Sequence, residues 1–319
     1  MPSLLDRRLL IFSGKGGAGK SIVAAATAVA AARHGKRVLI VEIGEEERIP
    51  ALFGSAKRAG YAGSQVRAPR PGVPPVWSMC VTAREALREF ALRSMKFELF
   101  YDAVFENPAA RLFMAAAPGL DELTIMGKIE FLHRESVAPA KHARFDIMIF
   151  DAPATGQGLA FFKVPLMAMS MAPIGPLRAK AERMWRLVAD PVRTAFNIVT
   201  LPEEMSVNEA IDLHRASSEM GLPRGAVIVN GVWPDFFAGD EAALARAREG
   251  RVSGDLSGRI ARAALDAAAS SVVRRQAQME MVAKLAEGLP LERTVLPFLP
   301  CARIGPAELE TLADSLEPL

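Results

Sequence analysis

A glycine-rich octapeptide constrains this chain more than any other feature. Residues 14–21 read GKGGAGKS, which fits the pattern G-x-x-x-x-G-K-[ST]. The apolar run LLIF at 9–12 precedes it and is typical of a strand, while residues 21–35 follow with the alanine-rich composition of a helix that ends near a glycine. Strand, glycine loop and helix in this order predict a phosphate-binding loop rather than a plain glycine turn.

The residues of this loop have distinct predicted roles. Lys20 is expected to contact the β- and γ-phosphates of a nucleotide, and the hydroxyl of Ser21 is expected to bind Mg²⁺. Backbone N–H groups and the N-terminus of the following helix supply further positive potential for the phosphates. The loop residues predicted to bind nucleotide are Gly14, Gly16, Gly17, Ala18, Gly19, Lys20 and Ser21.

Lys15 lies directly after the first glycine, where the pattern requires no lysine. Its long side chain cannot easily fold back onto the phosphates of its own loop, but it can reach a nucleotide on a facing subunit. The other interpretation is a solvated surface lysine, because most lysines are exposed.

The remaining chain predicts an α/β fold. Of the 319 residues 50% are hydrophobic, enough for a sizeable core, and near-continuous apolar runs are typical of strands buried on both faces of a parallel sheet. With the first strand they predict about seven strands in a doubly wound, mostly parallel sheet. The runs lie at 37–42, 76–81, 145–151, 195–200, 225–230 and 294–300.

Three segments between these runs have their own signatures. Thr82-x-x-Glu85 is a capping box that predicts a helical region over about 83–106. A second long helix is predicted over about 257–287, ending at Gly288. Residues 54–75 are rich in glycine and proline and are predicted to form a surface loop.

Composition excludes several other classes of protein. The net charge of +3 gives no argument for nucleic acid binding, and no uninterrupted apolar stretch approaches the length of a membrane span. The first strand follows the N-terminus without room for a signal peptide. Cys80 and Cys301 are far apart and form no C-x-x-C, so a cytoplasmic protein is expected.

Asp151 ends the apolar run FDIMIFD and begins a loop of small residues, 152–158. A carboxylate at this point suits direct or second-shell coordination of Mg²⁺, and the loop after it is predicted to lie beside the γ-phosphate as a switch. The alternative is a strand-terminal aspartate that caps a turn.

Several motifs in the same order carry a resemblance to one family. GKGGAGKS resembles the deviant phosphate loop of the ArsA, MinD and ParA class of dimeric ATPases, and DAPATGQGL resembles the D-T-A-P-T-G-H-T-L element of the ArsA and Get-pathway targeting ATPases. Further similar segments run from about residue 8 to 312. They are PGLDEL (118–123), TAFNIVTLPEEMSVNEA (194–210), IVNGVWP (228–234) and TVLPFLPCARIGPAEL (294–309).

The resemblance implies one P-loop ATPase domain of the SIMIBI class over 1–319, with helical subdomain segments inserted at about 83–140 and 160–190. It implies ATP or ADP with Mg²⁺, a homodimer or a heterodimer with a paralogous ATPase, and a hydrophobic client protein. Lys15 is expected to cross the dimer interface and to act in catalysis with Lys20 and Asp151. The residues expected to contact adenine are Asn230, Pro297 and Phe298.

Two features bear on which nucleotide binds and how fast it reacts. Guanine-reading relatives have N-K-x-D, whereas Asn230 is followed by Gly-Val-Trp, which favours adenine. The family's first switch reads D-P-A-H after the second strand, and its aspartate positions the attacking water. Here Gly44 takes the aspartate's place, and glycine cannot act as a base. Glu45, Glu46 and Glu47 follow, either as a solvated acidic loop or with one of them as the replacement.

The segment 165–190 is shorter than the client-binding insert of the tail-anchored targeting factors. Its apolar residues are either core or the lining of a short adaptable groove, since methionine tolerates varied partners. They are Met167, Met171, Ile174 and Leu177. The absence of C-x-x-C disfavours a dimer-bridging zinc and arsenite transport.

Two functional hypotheses remain open on the sequence. The first is a dimeric, Mg²⁺-dependent ATPase whose nucleotide state controls helical subdomains that hold a hydrophobic client. The second is a nucleotide-binding subunit with little hydrolysis that pairs with an active paralogue, and Gly44 favours it.

Overall fold

The strands of this protein form one central sheet. The computed structural model describes residues 4–68, 71–95, 119–137, 144–172, 174–250 and 256–317. Within them eight strands have the order β3-β4-β2-β5-β1-β6-β7-β8, and only the β3–β4 pair is antiparallel. The predicted α/β, mostly parallel sheet is confirmed. The strands are β1 Leu9–Ser13, β2 Val38–Ile43, β3 Ser64–Arg67, β4 Val76–Val81, β5 Ile147–Asp151, β6 Thr194–Thr200, β7 Arg224–Val232 and β8 Arg293–Pro297.

Strand β3 corrects the prediction of a surface loop over 54–75. It lies at the sheet edge, where it pairs only with β4, and of its four residues only Val66 is buried. Gly63 and Gly72 flank it with φ of +74° and +75°. A short edge strand between glycine turns has too little apolar periodicity to stand out in a sequence.

Ten helices flank the sheet in the described residues. Thr82 caps α3 as predicted: its Oγ1 accepts from the Glu85 N–H at 3.2 Å and donates to Glu85 Oε2 at 2.7 Å. The prediction for 96–106 lies outside the described residues, and the long helix near the C-terminus is confirmed. The helices are α1 Lys20–Arg33, α2 Ile49–Leu52, α3 Ala83–Met95, α4 Leu120–Val137, α5 Thr155–Met171, α6 Pro176–Val188, α7 Glu204–Met220, α8 Glu241–Glu249, α9 Leu256–Gly288 and α10 Pro306–Asp314.

Both faces of the sheet are covered, which explains the near-continuous apolar strands. Leu10 and Phe12 of β1 pack with α1 and α10 on one face, while Leu9 and Ile11 pack on the other with α4, α5, α6 and α7. All four side chains are at most 1% exposed. The small alanines of α1 let this helix lie close to the sheet.

Helices α3, α4, α5 and α6 pack against one another on the second face. They occupy the described parts of the two segments predicted as a helical subdomain, whose residues 96–118, 138–140 and 173 lie outside the description. Among the described helices none is long and apolar enough to cross a membrane.

Candidate nucleotide-binding site

The glycine loop lies at the carboxyl edge of the sheet, between the end of β1 and the start of α1. Gly14 has φ of +149°, and a Cβ there would lie 2.0 Å from the Val199 carbonyl oxygen of β6. Gly19 has φ of +88°, and a Cβ there would lie 2.2 Å from Asn230 Nδ2. Glycine is therefore required at both ends of the loop by space as well as by backbone conformation.

Lys20 reaches back over the loop from the first turn of α1. Its ammonium donates to the carbonyl oxygens of Gly14 and Lys15, each at 3.1 Å. Burial lowers the pKa of Lys20, and the charge of Asp151 opposes this effect. The predicted phosphate-binding cation is thus held against the loop backbone beside an acidic partner.

Ser21 and Asp151 are brought together although 130 residues separate them in the sequence. The Ser21 hydroxyl donates to Asp151 Oδ2 at 2.5 Å. Asp151 ends β5 in register with Phe12 of β1 and Glu42 of β2, which places its carboxylate beside the loop. Burial raises the pKa of Asp151, while the Ser21 hydrogen bond and the Lys20 charge act in the opposite direction.

This pair fits the predicted magnesium site. Asp151 Oδ1 is buried and has no hydrogen-bond partner in the described structure, and the same holds for the hydroxyls of Ser13 and Thr155. Buried polar atoms are normally satisfied, so three orphans around one loop indicate a polar ligand. A hydroxyl and a carboxylate are oxygen donors of the kind that Mg²⁺ prefers.

The segment after β5 corrects the predicted switch loop at 152–158. Only residues 152–154 form a loop, because α5 begins at Thr155. The Gly158 N–H donates to the Ala154 carbonyl at 2.8 Å, and the Thr155 N–H donates to the Gly14 carbonyl at 3.2 Å. The N-terminus of α5 is therefore tied directly to the glycine loop and adds its partial positive charge there.

Lys15 contributes its backbone to the loop, since its carbonyl accepts from the Ala18 N–H at 3.2 Å and from Lys20. Its side chain is partly exposed, and its ammonium forms no ion pair among the residues described. A role across a dimer interface stays a prediction.

Asn230 lies at the end of β7, on the side of the loop opposite Asp151 in the sheet order. Its Nδ2 donates to the Ala18 carbonyl oxygen at 3.0 Å, and this hydrogen bond supports the backbone of the glycine loop. An asparagine amide has a second N–H and a carbonyl oxygen, which remain for a base. Contact with adenine stays a prediction.

Pro297 and Phe298 lie at the end of β8, the strand next to β7. The Phe298 N–H donates to the Val232 carbonyl at 2.7 Å, and its ring stacks on Trp233 with centroids 4.6 Å apart and an interplanar angle of 18°. Trp233 was not singled out from the sequence as a site residue.

Helix α9 holds Trp233 in place through contacts that no local pattern could predict. Gln278 Oε1 accepts from the Trp233 N–H at 2.7 Å, and Arg275 donates to the Trp233 carbonyl at 2.6 Å. The indole N–H of Trp233 donates to Ser271. These partners lie about 40 residues further along the chain and meet Trp233 only in the folded state.

The acidic segment, residues 44–47, follows β2 at the same edge. Gly44 has φ of +120°, and its carbonyl accepts from the Cys80 thiol at 2.9 Å. Glu45 and Glu46 are exposed, as expected for a solvated loop. Glu47 contradicts that interpretation, because its side chain is only 5% exposed and accepts from the backbone N–H groups of residues 59 and 60.

Glu42 is a second carboxylate whose role the sequence did not indicate. It is 4% exposed, and its Oε2 accepts from the Arg48 N–H at 2.8 Å and from the Ile49 N–H at 3.4 Å. Burial raises the pKa of Glu42 to about 7, against the effect of these hydrogen bonds. Glu42 and Glu47 thus hold the acidic segment in place.

The apolar residues of the 165–190 segment are on the surface. Met167, Met171, Ile174 and Leu177 are 51%, 80%, 86% and 43% exposed. The interpretation as core is therefore wrong for them. They lie in the last part of α5, in the connection after it and at the start of α6.

Comparison with known proteins agrees with this architecture. The model of the anion-transporting (ArsA) ATPase family matches residues 7–174 and 167–251. ATPase BagA of Mycobacterium tuberculosis is 31% identical over 257 residues, which cover 78% of this chain and 71% of BagA. ATPase GET3C of Arabidopsis thaliana is 25% identical over 280 residues, covering 73% and 69%.

The arsenical pump-driving ATPase of Acidiphilium multivorum is 27% identical over 256 residues, which cover 74% of this chain but 41% of that protein. The family match itself spans well over half of the chain and includes the glycine loop, Asp151 and Asn230. The chain therefore belongs to the ArsA family of ATPases.

Proposed function

We propose that this protein is a dimeric, Mg²⁺-dependent ATPase of the ArsA and Get type, whose nucleotide state is coupled to a hydrophobic client or partner protein. One observation carries the proposal: the Ser21 hydroxyl lies 2.5 Å from Asp151 Oδ2, directly beside a glycine loop with Lys20 folded over it. This is the arrangement that holds a nucleotide phosphate and its cation.

The loop binds the phosphates through its N–H groups and through Lys20, supported by the N-termini of α1 and α5. Ser21 and Asp151 would hold Mg²⁺, which would supply positive charge against the charge that develops on the phosphate oxygens during transfer. The carbonyl oxygens of Gly14 and Lys15 hold the Lys20 ammonium over the loop, where it is placed to bind oxygens of a terminal phosphate.

Adenine rather than guanine is the proposed base. Trp233 stands where guanine-reading proteins have aspartate, and it is stacked on Phe298 rather than available as a hydrogen-bond acceptor. Asn230 keeps one amide N–H and its carbonyl oxygen for the base. Pro297 and Phe298 form the neighbouring strand end.

Two subunits are proposed to face each other across their nucleotide loops, as a homodimer or as a heterodimer with a paralogue. The partly exposed ammonium of Lys15 is available for the phosphates of the facing subunit. The client surface is proposed at Met167, Met171, Ile174 and Leu177, where methionine side chains can adapt to varied apolar partners. The proposed location of this activity is the cytoplasm. The proposed partners do not include nucleic acid.

A second candidate function has specific support, namely a nucleotide-binding subunit with little hydrolysis that pairs with an active paralogue. Gly44 has no side chain to position water, and the buried carboxylates nearby are occupied by backbone N–H groups at residues 48–49 and 59–60. Within the acidic segment, 44–47, Glu45 and Glu46 remain as candidates to position the attacking water.

Nucleotide titration and turnover measurements test both candidates. Purified protein is titrated with ATP and GTP in the presence of Mg²⁺, and phosphate release is then followed alone and with a paralogue. Tighter binding of ATP with measurable release supports the ATPase, and binding with release only in the mixture supports the second candidate. GTP binding as tight as ATP binding would contradict the assignment of adenine.

A further inference from the structure

A cleft of about 730 Å³ opens at the amino edge of the sheet, at the opposite end from the nucleotide loop. Its walls come from α4, from α6 and from the segment 189–193 that leads into β6. The volume is within the range of small-molecule sites. Neither the glycine loop nor the acidic segment contributes to it.

The cleft has an excess of arginine. Four guanidinium groups line it against two carboxylates, those of Glu130 and Asp190. One oxygen of Asp190 is used in a local turn, since its Oδ1 accepts from the Val192 N–H at 2.8 Å. The four arginines are Arg134, Arg183, Arg186 and Arg193.

The ion pairs of these arginines are long. Glu130 Oε1 lies 3.6 Å from Arg183 Nε and 4.0 Å from Arg134 Nη1, and Asp190 Oδ2 lies 3.3 Å from Arg193 Nε. Charge-assisted hydrogen bonds are typically about 2.7–2.9 Å long. The guanidinium groups therefore keep donor capacity for an anion.

His133 of α4 supplies an independent indication of a ligand. It is 7% exposed, it lines the cleft, and its Nε2 has no hydrogen-bond partner in the described structure. Burial, Arg193 and Arg8 lower the pKa of His133 to about 4, so the ring is neutral at neutral pH. An unsatisfied buried polar atom costs about 1–3 kcal/mol, and a ligand that bonds to it would remove this cost.

The rest of the wall is apolar and fixed. Trp185, Leu187 and Pro191 line the apolar part of the wall. The segment before β6 is held by the Thr194 hydroxyl, which donates to the Leu187 carbonyl at 2.7 Å, and by the Leu9 N–H, which donates to the Arg193 carbonyl at 2.9 Å. A preformed wall lowers the cost of ordering on binding.

We propose that this cleft binds a small organic anion, with a carboxylate or phosphate-ester head on Arg134, Arg183 and His133 and an apolar body against Trp185. The arginines select the charge, and the indole selects an aromatic or aliphatic body. The proposal does not depend on ATP hydrolysis, because the cleft and the nucleotide loop share no residue.

Calorimetric titration of the full chain with 3-phenylpropionate tests the proposal, with 3-phenylpropanol as the uncharged control. Saturable binding of one carboxylate per chain, at least about 10-fold tighter than the alcohol, is expected, since one charged contact is worth roughly that factor. Equal binding of acid and alcohol, or no saturable binding of the acid, would overturn the proposal.

A second titration, with a phosphate ester, distinguishes a carboxylate head group from a phosphate-ester head group. Phenyl phosphate is titrated into Lys20→Ala protein, so that the nucleotide loop does not contribute. Tighter binding than 3-phenylpropionate identifies a phosphate-ester site, and weaker binding identifies a carboxylate site. Competition between the two probes is expected, and saturable binding without competition would contradict a shared cleft.

Matched variants locate the binding. Arg183→Gln and Arg134→Gln are each expected to weaken 3-phenylpropionate about 10-fold or more, whereas Arg215→Gln, an exposed arginine of α7 paired with Asp212, is expected to change nothing. The two cleft variants are checked by thermal melting, and either one suffices if the other does not fold. Unchanged affinity in a folded cleft variant would exclude this location.

His133→Leu separates a binding role from a structural one. Removing an unsatisfied buried nitrogen is expected to leave the melting temperature equal or higher, while 3-phenylpropionate binds more weakly. A lower melting temperature with unchanged affinity would show that His133 serves packing alone.

Discussion

Two segments at the carboxyl edge of the sheet have opposite relations to the family pattern. The glycine loop, 14–21, retains every residue that phosphate binding needs, and each one occupies the expected place. The acidic segment, 44–47, follows β2 and has Gly44 where the family resemblance predicts a water-positioning aspartate, although it carries three glutamates. The proposed roles in nucleotide binding and in hydrolysis therefore belong to separate segments, and each role is tested by its own variants.

The physical basis of the two segments also differs. The loop is built from backbone: close approach to Val199 and Asn230 admits only glycine at positions 14 and 19. The acidic segment is held by hydrogen bonds to side chains. Glu42, which precedes the segment, accepts from the Arg48 N–H that follows it, and Glu47 accepts from the N–H groups of residues 59 and 60. Carboxylates near a reaction site can thus be structural, and their number alone does not indicate a base.

The largest expected effect is that of Lys20→Ala. Removing one partner of a hydrogen-bonded charge pair typically costs about 2–5 kcal/mol, so ATP binding is expected to fall below detection in calorimetric titration with Mg²⁺. Lys57→Ala, at an exposed lysine outside the site, is the matched control. Retained ATP affinity in folded Lys20→Ala protein would contradict the assignment of phosphate binding to the glycine loop.

Gly44 gives the next largest effect. Loss of a positioned base typically costs about 10²- to 10⁴-fold, so wild-type ATP turnover is expected to be slower by that factor than in relatives with aspartate. The measurement is steady-state phosphate release at saturating ATP, with Glu45→Gln and Glu46→Gln beside wild type. Brisk turnover that depends on one of these glutamates would reject the hydrolysis-poor candidate.

Gly44→Asp is the direct attempt at rescue, and the backbone opposes it. At φ of +120° a non-glycine residue is strained by about 1–3 kcal/mol, although a side chain at this position would meet nothing within 4 Å. We expect a lower melting temperature and at most partial recovery of turnover. Gly35→Asp, with φ of +76° and similar open space, controls for strain away from the site.

Glu42 predicts a pH dependence of stability. Its folded pKa of about 7 lies above its ordinary value of 4.5, so the folded protein keeps a proton that the unfolded chain releases. Stability is therefore expected to fall as pH rises between about 4.5 and 7, by up to about 3 kcal/mol from this group. Glu42→Gln removes the ionisation and flattens the profile.

Urea unfolding from pH 5 to 8 without nucleotide or Mg²⁺ measures this effect. Glu46→Gln is the control, because Glu46 lies in the same segment but is exposed. Identical slopes for wild type and Glu42→Gln would show that Glu42 is ionised throughout and that burial is less costly than inferred.

Lys15→Ala is expected to give the smallest effect. ATP affinity stays unchanged, while nucleotide-dependent dimerisation or turnover weakens about 10-fold, equivalent to ~1.4 kcal/mol. Sedimentation with ADP and with a non-hydrolysed ATP analogue measures the dimer. If Lys15→Ala lost ATP binding as completely as Lys20→Ala, a role on the facing subunit would be wrong.

Local patterns predicted most of the fold. Strands buried on both faces are recognisable as apolar runs, and the observed strand bounds differ from the predicted ones by at most three residues. The edge strand β3 was missed because only Val66 among its residues is buried. The loop predicted after Asp151 is too long, because α5 already begins at Thr155. The first residue of this helix donates a hydrogen bond to Gly14, which is distant in the sequence, so no local pattern indicates this start.

The sequence by itself determined the glycine loop, predicted Lys20 and Ser21 as its functional residues, and predicted that Gly44 replaces an aspartate. These follow from adjacent residues, whose spacing restricts the backbone directly. The sequence predicted that Ser21 and Asp151 share one magnesium site, and the tertiary structure added their direct hydrogen bond. Only the tertiary structure decided that Glu42 and Glu47 accept backbone hydrogen bonds and that α9 contacts Trp233. Each of these depends on strands or helices packing in one register, and burial then fixes which polar groups pair.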